Sequence, residues 1–392
     1  MTAIKYKKVS EVCEIIMGQS PSSDTYNDRK EGLPFFQGKA DFGKLYPTPK
    51  TYCSAPLKIA NENDILMSVR APVGDVNIAN TKCCIGRGLA AIRANNDMIN
   101  YKYLFYALNY KKNEIESMGT GSTFKAISKK DIESIKIPVS DIENQVKIVK
   151  ALDKAQELID KRKAQIEALD QLTQSVFLEM FGDPKLNKKN WKKQKLNDVC
   201  LRKGEYGSGS SAIPYDSGKP RYIRITDIRD DGSLNDDIVA PSNPDDYEKY
   251  RLNEGDILFA RSGATVGKTY LHSEKNGYCI FAGYLIRFVP DTSKINPKFL
   301  FHFTRTQYYK QWVMNKQNTV AQPNINAKQY GEELFIICPP LELQNRFAKI
   351  VEEIEAEKEL LQKSMIELQN NFNSLMQRAF KGELFNELMN TK

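Results

Sequence analysis

The sequence predicts an α+β protein in which two globular α/β domains are joined by two long antiparallel coiled-coil helices, with a pseudo-twofold internal repeat. Three observations carry this prediction. Four segments recur in order along the chain, two stretches keep a sustained 4-3 apolar spacing, and the sign of the charge alternates between stretches. At 392 residues, 41% of them hydrophobic, the chain is long enough for two cores.

The repeat is legible as paired segments. "VSEVCEI" from Val9 answers "LNDVCLR" from Leu196, an offset of 187. "NENDILMSVRAPVG" answers "LNEGDILFARSGATVG" with Asp64 against Asp256, an offset of 192. "INYKYLFYALN" from Ile99 answers "INPKFLFHFTR" from Ile295 at 196, and "DIENQVKIV" from Asp141 answers "PLELQNRFA" from Pro340 at 199. The offset only grows, as expected when loops lengthen between shared elements. Two copies of one domain-plus-tail unit account for this most simply.

The run "GDILFARSGATVGKT" resembles a phosphate-binding loop, and the repeat argues against that reading. Gly263 and Gly267 are separated by three residues where the motif needs four before Gly-Lys-Thr, and Ser262 stands where it wants glycine. The following "TYLHSEKNGYCIFAG" reads as a hairpin, not as the helix whose N-terminus would face an anion. In the first copy the lysine is replaced by Asp75. What both copies keep is Asp-Ile-Leu, an arginine near the strand end (Arg70 and Arg261) and a turn ending Val-Gly. A basic corner of this kind suits a nucleic-acid contact, and an arginine anchoring its own loop suits the pattern equally well.

The tails have a clearer signature. Positions 148, 152, 155, 159, 162, 166, 169, 173, 176 and 180 are apolar in eight of ten cases, and the same positions plus 199 in nine of ten. This is a heptad seam. Gly182 and Gly382 stop both helices at equivalent places. Helices of nearly forty residues reach roughly 55 to 60 Å, and two of them in one chain pack most economically antiparallel.

Charge follows the same division. Residues 1–140 carry 20 Lys+Arg against 14 Asp+Glu and residues 185–340 carry 24 against 17, whereas 141–184 carry 6 against 9 and 341–392 carry 7 against 9. Two basic surfaces that meet a polyanion would give this alternation. Seven cysteines without a CxxC pair, and only His272 and His302, leave no zinc site at usable spacing and point to reduced, buried thiols. The chain shows no apolar run of spanning length and its first residues are charged, so a cytoplasmic location is expected.

Taken together these residues resemble the specificity subunits of type I restriction-modification systems (the HsdS family). The resemblance covers essentially the whole chain. It rests on the domain, helix, domain, helix order, on "GDILFARSGATVGK" with its echo "NDILMSVRAPVG", and on "GSTFKAISKKDIESIKIPVSDIENQVKIV" and "VAQPNINAKQYGEELFIICPPLELQNRFAKIV". One departure is Ser140-Asp141 where the second copy, like the family pattern, has the proline pair Pro339-Pro340. The resemblance implies that residues 1–140 and 185–340 are target-recognition domains, each reading one half of a bipartite, asymmetric DNA target. It implies that 141–184 and 341–392 are spacer helices, the second with a C-terminal tail. Double-stranded DNA, two methyltransferase (HsdM-type) subunits and, through them, restriction (HsdR-type) subunits are the implied partners. No catalysis or cofactor is expected on this chain, with S-adenosylmethionine and ATP on the partner subunits. Consistently, the sequence holds no NPPY-like or DPPY-like tetrad, glycine-rich cofactor loop or helicase motif.

Base readout needs donors and acceptors at base edges. In the first copy these are expected from Gln19, Ser20, Gln37, Lys39, Arg70, Ser122, Thr123 and Lys125. In the second they are expected from Arg224, Thr226, Arg261, Ser262, Thr265, Lys268, Asn318, Gln322 and Asn324. Phe177 and Phe380, near the far ends of the helices, are expected at methyltransferase contacts.

Overall fold

The computed structural model describes residues 5–120, 125–317 and 324–384. The chain forms two compact units, one of residues 1–163 with 363–392 and one of 164–362. In the first, β1 (Lys5–Lys8), β2 (Cys13–Met17), β3 (Ile65–Ser68), β4 (Val76–Ile78) and β5 (Leu89–Ala94) precede α1 (Tyr101–Tyr110), β6 (Lys136–Val139) and α2 (Ile142–Phe181). The central sheet runs β2-β5-β3-β4 and is antiparallel throughout, with β1 paired separately to β6. A five-stranded sheet lies beside it, in which Leu33–Phe36 runs parallel to Cys83–Ile85.

The second unit repeats this plan. It contains β7 (Lys192–Lys195), β8 (Glu205–Tyr206), β9 (Ile257–Ala260), β10 (Thr269–Leu271) and β11 (Leu285–Phe288), then α3 (Pro297–Phe303), β12 (Phe335–Cys338) and α4 (Leu341–Lys381). The sheet order is β8-β11-β9-β10, again antiparallel, and β7 pairs with β12. Arg221–Ile223 runs parallel to Cys279–Phe281, the counterpart of the parallel pair in the first unit. The α+β duplication expected from the sequence is thus present in the central sheet, the separately paired strands and the helices, while two two-stranded sheets stand in the second unit where the first has five strands.

Two constructions occur in both units. In the first, Gln145 in the opening turn of α2 accepts a hydrogen bond from the Asn100 backbone N–H at 2.8 Å and donates to Met98 O at 3.1 Å and Ser140 O at 2.8 Å. Gln344 in α4 accepts from Asn296 N at 2.8 Å and donates to Pro339 O at 2.8 Å, with a longer contact to Lys294 O at 3.5 Å. Both glutamines are fully buried. Asn100 and Asn296 in turn cap α1 and α3, each side chain accepting from the second and third backbone N–H of its helix. One amide therefore fastens a long helix to the start of a short one.

The second shared construction is an ion cluster. Arg93 on β5 pairs with buried Asp64 at 2.9 Å and with Glu14 at 3.0 Å. Arg287 on β11 pairs with Glu205 at 2.7 Å and lies 3.6 Å from buried Asp256. The Asp of each Asp-Ile-Leu also accepts from a backbone N–H three residues earlier, Asn61 and Asn253. Buried carboxylates need such partners, and burial holds Asp256 above the usual carboxylate range against the pull of the Asn253 N–H and Arg287.

All twenty seam positions of α2 and α4 are buried or half-buried. Within the second unit the helices run antiparallel, since Asp170 pairs with Lys358 at 2.6 Å while Phe177, further along α2, meets Phe347, earlier in α4, at 5.5 Å. Each unit also takes in the far end of the other helix. Phe372, Met376 and Phe380 join the core of the first unit against Tyr103, Tyr106 and Tyr110. Phe177 and Phe181 join the core of the second against Phe299 and Phe347. Gly182 and Gly382 stop the helices with φ of 79° and 81°, in the left-handed region that favours glycine.

All seven cysteines are free, five buried and Cys13 and Cys338 half-buried. Burial pushes the thiols of Cys13, Cys83 and Cys200 up to about 12, so they stay protonated. Among the described residues no helix is long and apolar enough to cross a membrane.

Two outcomes follow from this packing. Gln344→Leu strands a buried donor and a buried acceptor, so urea unfolding should show a loss of about 2 to 4 kcal/mol. His302 on α3 lies edge-on to Phe347, with its Nε2 closed off and without a partner among the described residues. Burial, helped by Arg305 and Lys298, holds its imidazole down at about 3 from the ordinary 6.5. The unfolded chain takes up a proton below pH 6.5 that the folded one refuses, so this contribution is whole above pH 6.5 and is lost as pH falls toward 3. The loss should approach about 1.4 kcal/mol per pH unit. His302→Phe should flatten that part of the acid slope, which unfolding midpoints measured between pH 7 and pH 4 will show.

Candidate nucleic-acid interface

The Gly-Asp-Ile-Leu run forms strand β9, a 3-10 turn at Gly263–Thr265 and strand β10, which pairs back antiparallel on β9. It is a hairpin, and no helix follows it. Lys268 reaches Asp230 at 2.9 Å and Ile228 O at 3.2 Å, so its ammonium anchors a neighbouring loop. In the first unit the charges are reversed: Asp75 pairs with Lys39 at 2.6 Å and with Lys112 at 2.5 Å. Burial alone would raise the Asp75 carboxyl, and the two lysines more than offset it, holding it below the usual range.

Beside each hairpin the chain makes the same corner. In the first unit Gly18 N donates to Leu89 O, Gln19 N to Ile85 O, Val69 N to Gly88 O and Ile127 N to Val69 O. In the second, Gly207 N donates to Leu285 O, Ser208 N to Phe281 O, Arg261 N to Tyr284 O and Ile325 N to Arg261 O. Gly18 and Gly207 are required by close approach. A Cβ on Gly18 would lie 2.1 Å from Gly86 O, and one on Gly207 2.3 Å from Phe281 O. This register sets Val69 opposite Arg261 and Arg70 opposite Ser262, so the two strand-end arginines are offset by one residue. Successive strand residues face opposite sides, and the arginines are therefore not equivalent.

In the first unit the corner collects Gln19, Ser20, Gln37, Arg70 and Lys125. Ser20 Oγ accepts from Arg87 N at 3.2 Å, and Ala71 N donates to Lys125 O. The backbone of Gln37 closes on Gly88, where a Cβ would lie 2.2 Å from Gln37 O. Lys39 is spent on Asp75. Arg87, which sequence reasoning missed, is exposed in the same corner; only its place between two glycines, "GRG", hinted at a close approach. Ser122 and Thr123 lie outside the described residues.

In the second unit the corner brings together Arg261, Ser262 and Asn324. Ser262 and Asn324 form a β-bridge, and Arg261 Nε donates to Asn324 Oδ1 at 3.4 Å. The Arg261 guanidinium lies 4.7 Å from the ring of Tyr206. Thr265 donates to Ser262 O and serves its own turn. Arg224 is held by buried Asp227 at 2.8 Å and by Asp237 at 2.7 Å, and these hydrogen bonds raise its guanidinium. Thr226 follows it in the same short turn, its hydroxyl 3.4 Å from Asp227 Oδ1. Asn318 and Gln322 lie outside the described residues. Phe177 and Phe380, expected at a partner surface, are instead core residues with 2% and 0% exposure. Sequence reasoning placed them near the far ends of the helices, at methyltransferase contacts, whereas each packs into a globular core. Among the described residues no group of His, Cys, Asp and Glu could hold a metal.

A model of the type I restriction modification DNA specificity domain matches residues 1–169 and 188–370. The chain belongs to this specificity family. A relative from Methanocaldococcus jannaschii, the putative type I restriction enzyme MjaX specificity subunit, is 55% identical over 157 residues, which are 39% of this chain and 37% of that one. The MjaIX specificity subunit of the same organism is 22% identical over 96% of this chain and 93% of its own. The EcoBI specificity subunit of Escherichia coli is 21% identical over 96% of this chain and 85% of its own. The crystal structure of the type I restriction-modification system S subunit from M. genitalium covers 97% of this chain and 96% of its own with a TM-score of 0.59 at 17% identity, a likeness of fold. As a member of the specificity family the chain is not itself an enzyme.

The hairpin geometry gives a direct check on the phosphate-loop resemblance. Calorimetry with ATP should show no binding to the wild-type chain or to Lys268→Ala. The substitution should cost stability of no more than about 1 kcal/mol, as for a solvent-exposed ion pair.

Proposed function

We propose that this chain reads DNA for a type I restriction-modification complex, residues 1–140 taking one half of a bipartite asymmetric target and 185–340 the other. The observation that carries the reading is the corner built twice on one hydrogen-bond register with different side chains. A shared backbone suits two sites of the same kind, and unlike side chains suit two unlike half-sequences. The net positive charge of both stretches supplies the phosphate attraction on which DNA affinity depends.

The long helices, within 141–184 and 341–392, are proposed to set the gap between the half-sites and to dock two methyltransferase subunits, through which restriction subunits join. The seams support the first role. For the second, the helices leave Leu158, Leu172, Leu178, Leu360 and Ile366 exposed, apolar surface of the kind a partner helix covers. S-adenosylmethionine and ATP chemistry belongs to those partners, and the complex works in the cytoplasm, with the DNA.

The test is to map methylated adenines in cells that express the chain with its methyltransferase, before and after removing one heptad from both helices. The expected result is a pair of half-sequences unchanged in content with an altered gap. A changed half-sequence, or an unaltered gap, would refute the assignment.

A further inference from the structure

The shared register makes each unit an internal control for the other. Whatever both corners keep serves the scaffold, and what differs is free to serve recognition. Opposite Tyr206, Arg261, Tyr284 and Asn324 of the second unit stand Met17, Val69, Gly88 and Ala126 of the first. A cation, two phenol rings and an amide thus replace four apolar or small residues on the same backbone. Val69 is buried in the core at 3% exposure, whereas Arg261 is half-buried and Tyr206 and Tyr284 are 42% and 62% exposed.

The arginine is held from three sides. Its guanidinium lies over the Tyr206 ring at 4.7 Å, a cation–π contact. Tyr206 is itself fixed, because its hydroxyl accepts from Ala327 N at 3.1 Å and its neighbour Glu205 is pinned by Arg287. Arg261 Nε donates to Asn324 Oδ1, and the Arg261 backbone is clamped between Tyr284 O and Ile325 N. Among the described residues nothing takes up Nη1 or Nη2. Those two parallel donors match the N7 and O6 acceptors of guanine in the major groove.

We propose that Arg261 reads a guanine in the half-site taken by residues 185–340, and that Tyr206 and Asn324 are positioning residues that hold its fork for that contact. This rests on the DNA-reading role proposed above. A phosphate contact would use the same charge without needing the fork, and the two differ in what they do to sequence preference.

The test is selection from randomised duplex DNA by the full-length chain in complex with its methyltransferase subunits, using wild type, Tyr206→Leu, Tyr206→Phe, Arg261→Lys and Asn324→Ala. Arg261→Lys and Tyr206→Leu should each relax preference at one and the same guanine by about tenfold. The other half-site should be unchanged, and Tyr206→Phe, which keeps the ring, should retain most of the preference. Thermal unfolding identifies a variant that fails to fold; should Tyr206→Leu do so, Arg261→Lys, with the ring intact, decides the guanine contact, and Asn324→Ala, which removes the bond to Nε and should relax preference at the same guanine, decides the positioning role. Uniform weakening with unaltered preference, relaxation at a base other than guanine, or no change would overturn the assignment. If wild type selects two half-sequences and only these variants behave otherwise, the guanine contact alone fails. If wild type selects none, the DNA-reading role fails with it.

Discussion

The structure depends on one buried amide used twice. A long helix leaving a globular domain needs a fixed direction, and an apolar contact alone leaves it free to roll. Gln145 and Gln344 remove that freedom by bonding simultaneously to the backbone just before their own helix and to the backbone that opens α1 or α3. A fully buried side-chain amide is costly unless satisfied, so the bonds admit one docking geometry. The register of each seam follows from where its helix starts.

From that anchor the architecture builds outward. The sheet of each unit is tied by an arginine on its second strand to the carboxylate of the Asp-Ile-Leu segment and to a glutamate on the edge strand. The corner beyond these strands repeats because its glycines and backbone bonds repeat. The shared backbone bonds hold the corner in both units, and the side chains on it differ, some of them, like Ser20 and Tyr206, adding a bond to the backbone in one unit only. The backbone of this segment is thus common to the two units, and its side chains are what distinguish them.

Several candidate residues illustrate how charge in a basic protein is partitioned. Lys39, Arg224 and Lys268 each face an acidic partner within their own unit, and their positive charge is largely spent on loop geometry. Arg70, Arg87 and Arg261 form no ion pair with any described residue. Net charge cannot distinguish these two groups, since it counts both alike.

The sequence by itself determined the duplication, the two seams with their glycine stops and the hairpin nature of the Gly-Lys-Thr run, because each is written in local spacing and local turn chemistry. It did not reveal the Glu-Arg-Asp clusters, whose members are far apart in the chain and meet only through strand pairing. Nor did it reveal that Phe177 and Phe380 belong to cores, since apolar residues near a helix end look the same whether they meet a domain or a partner. The offset between Arg70 and Arg261 was likewise decided by tertiary structure. One residue of register turns a strand side chain to the opposite face, and only the backbone hydrogen bonds count that residue.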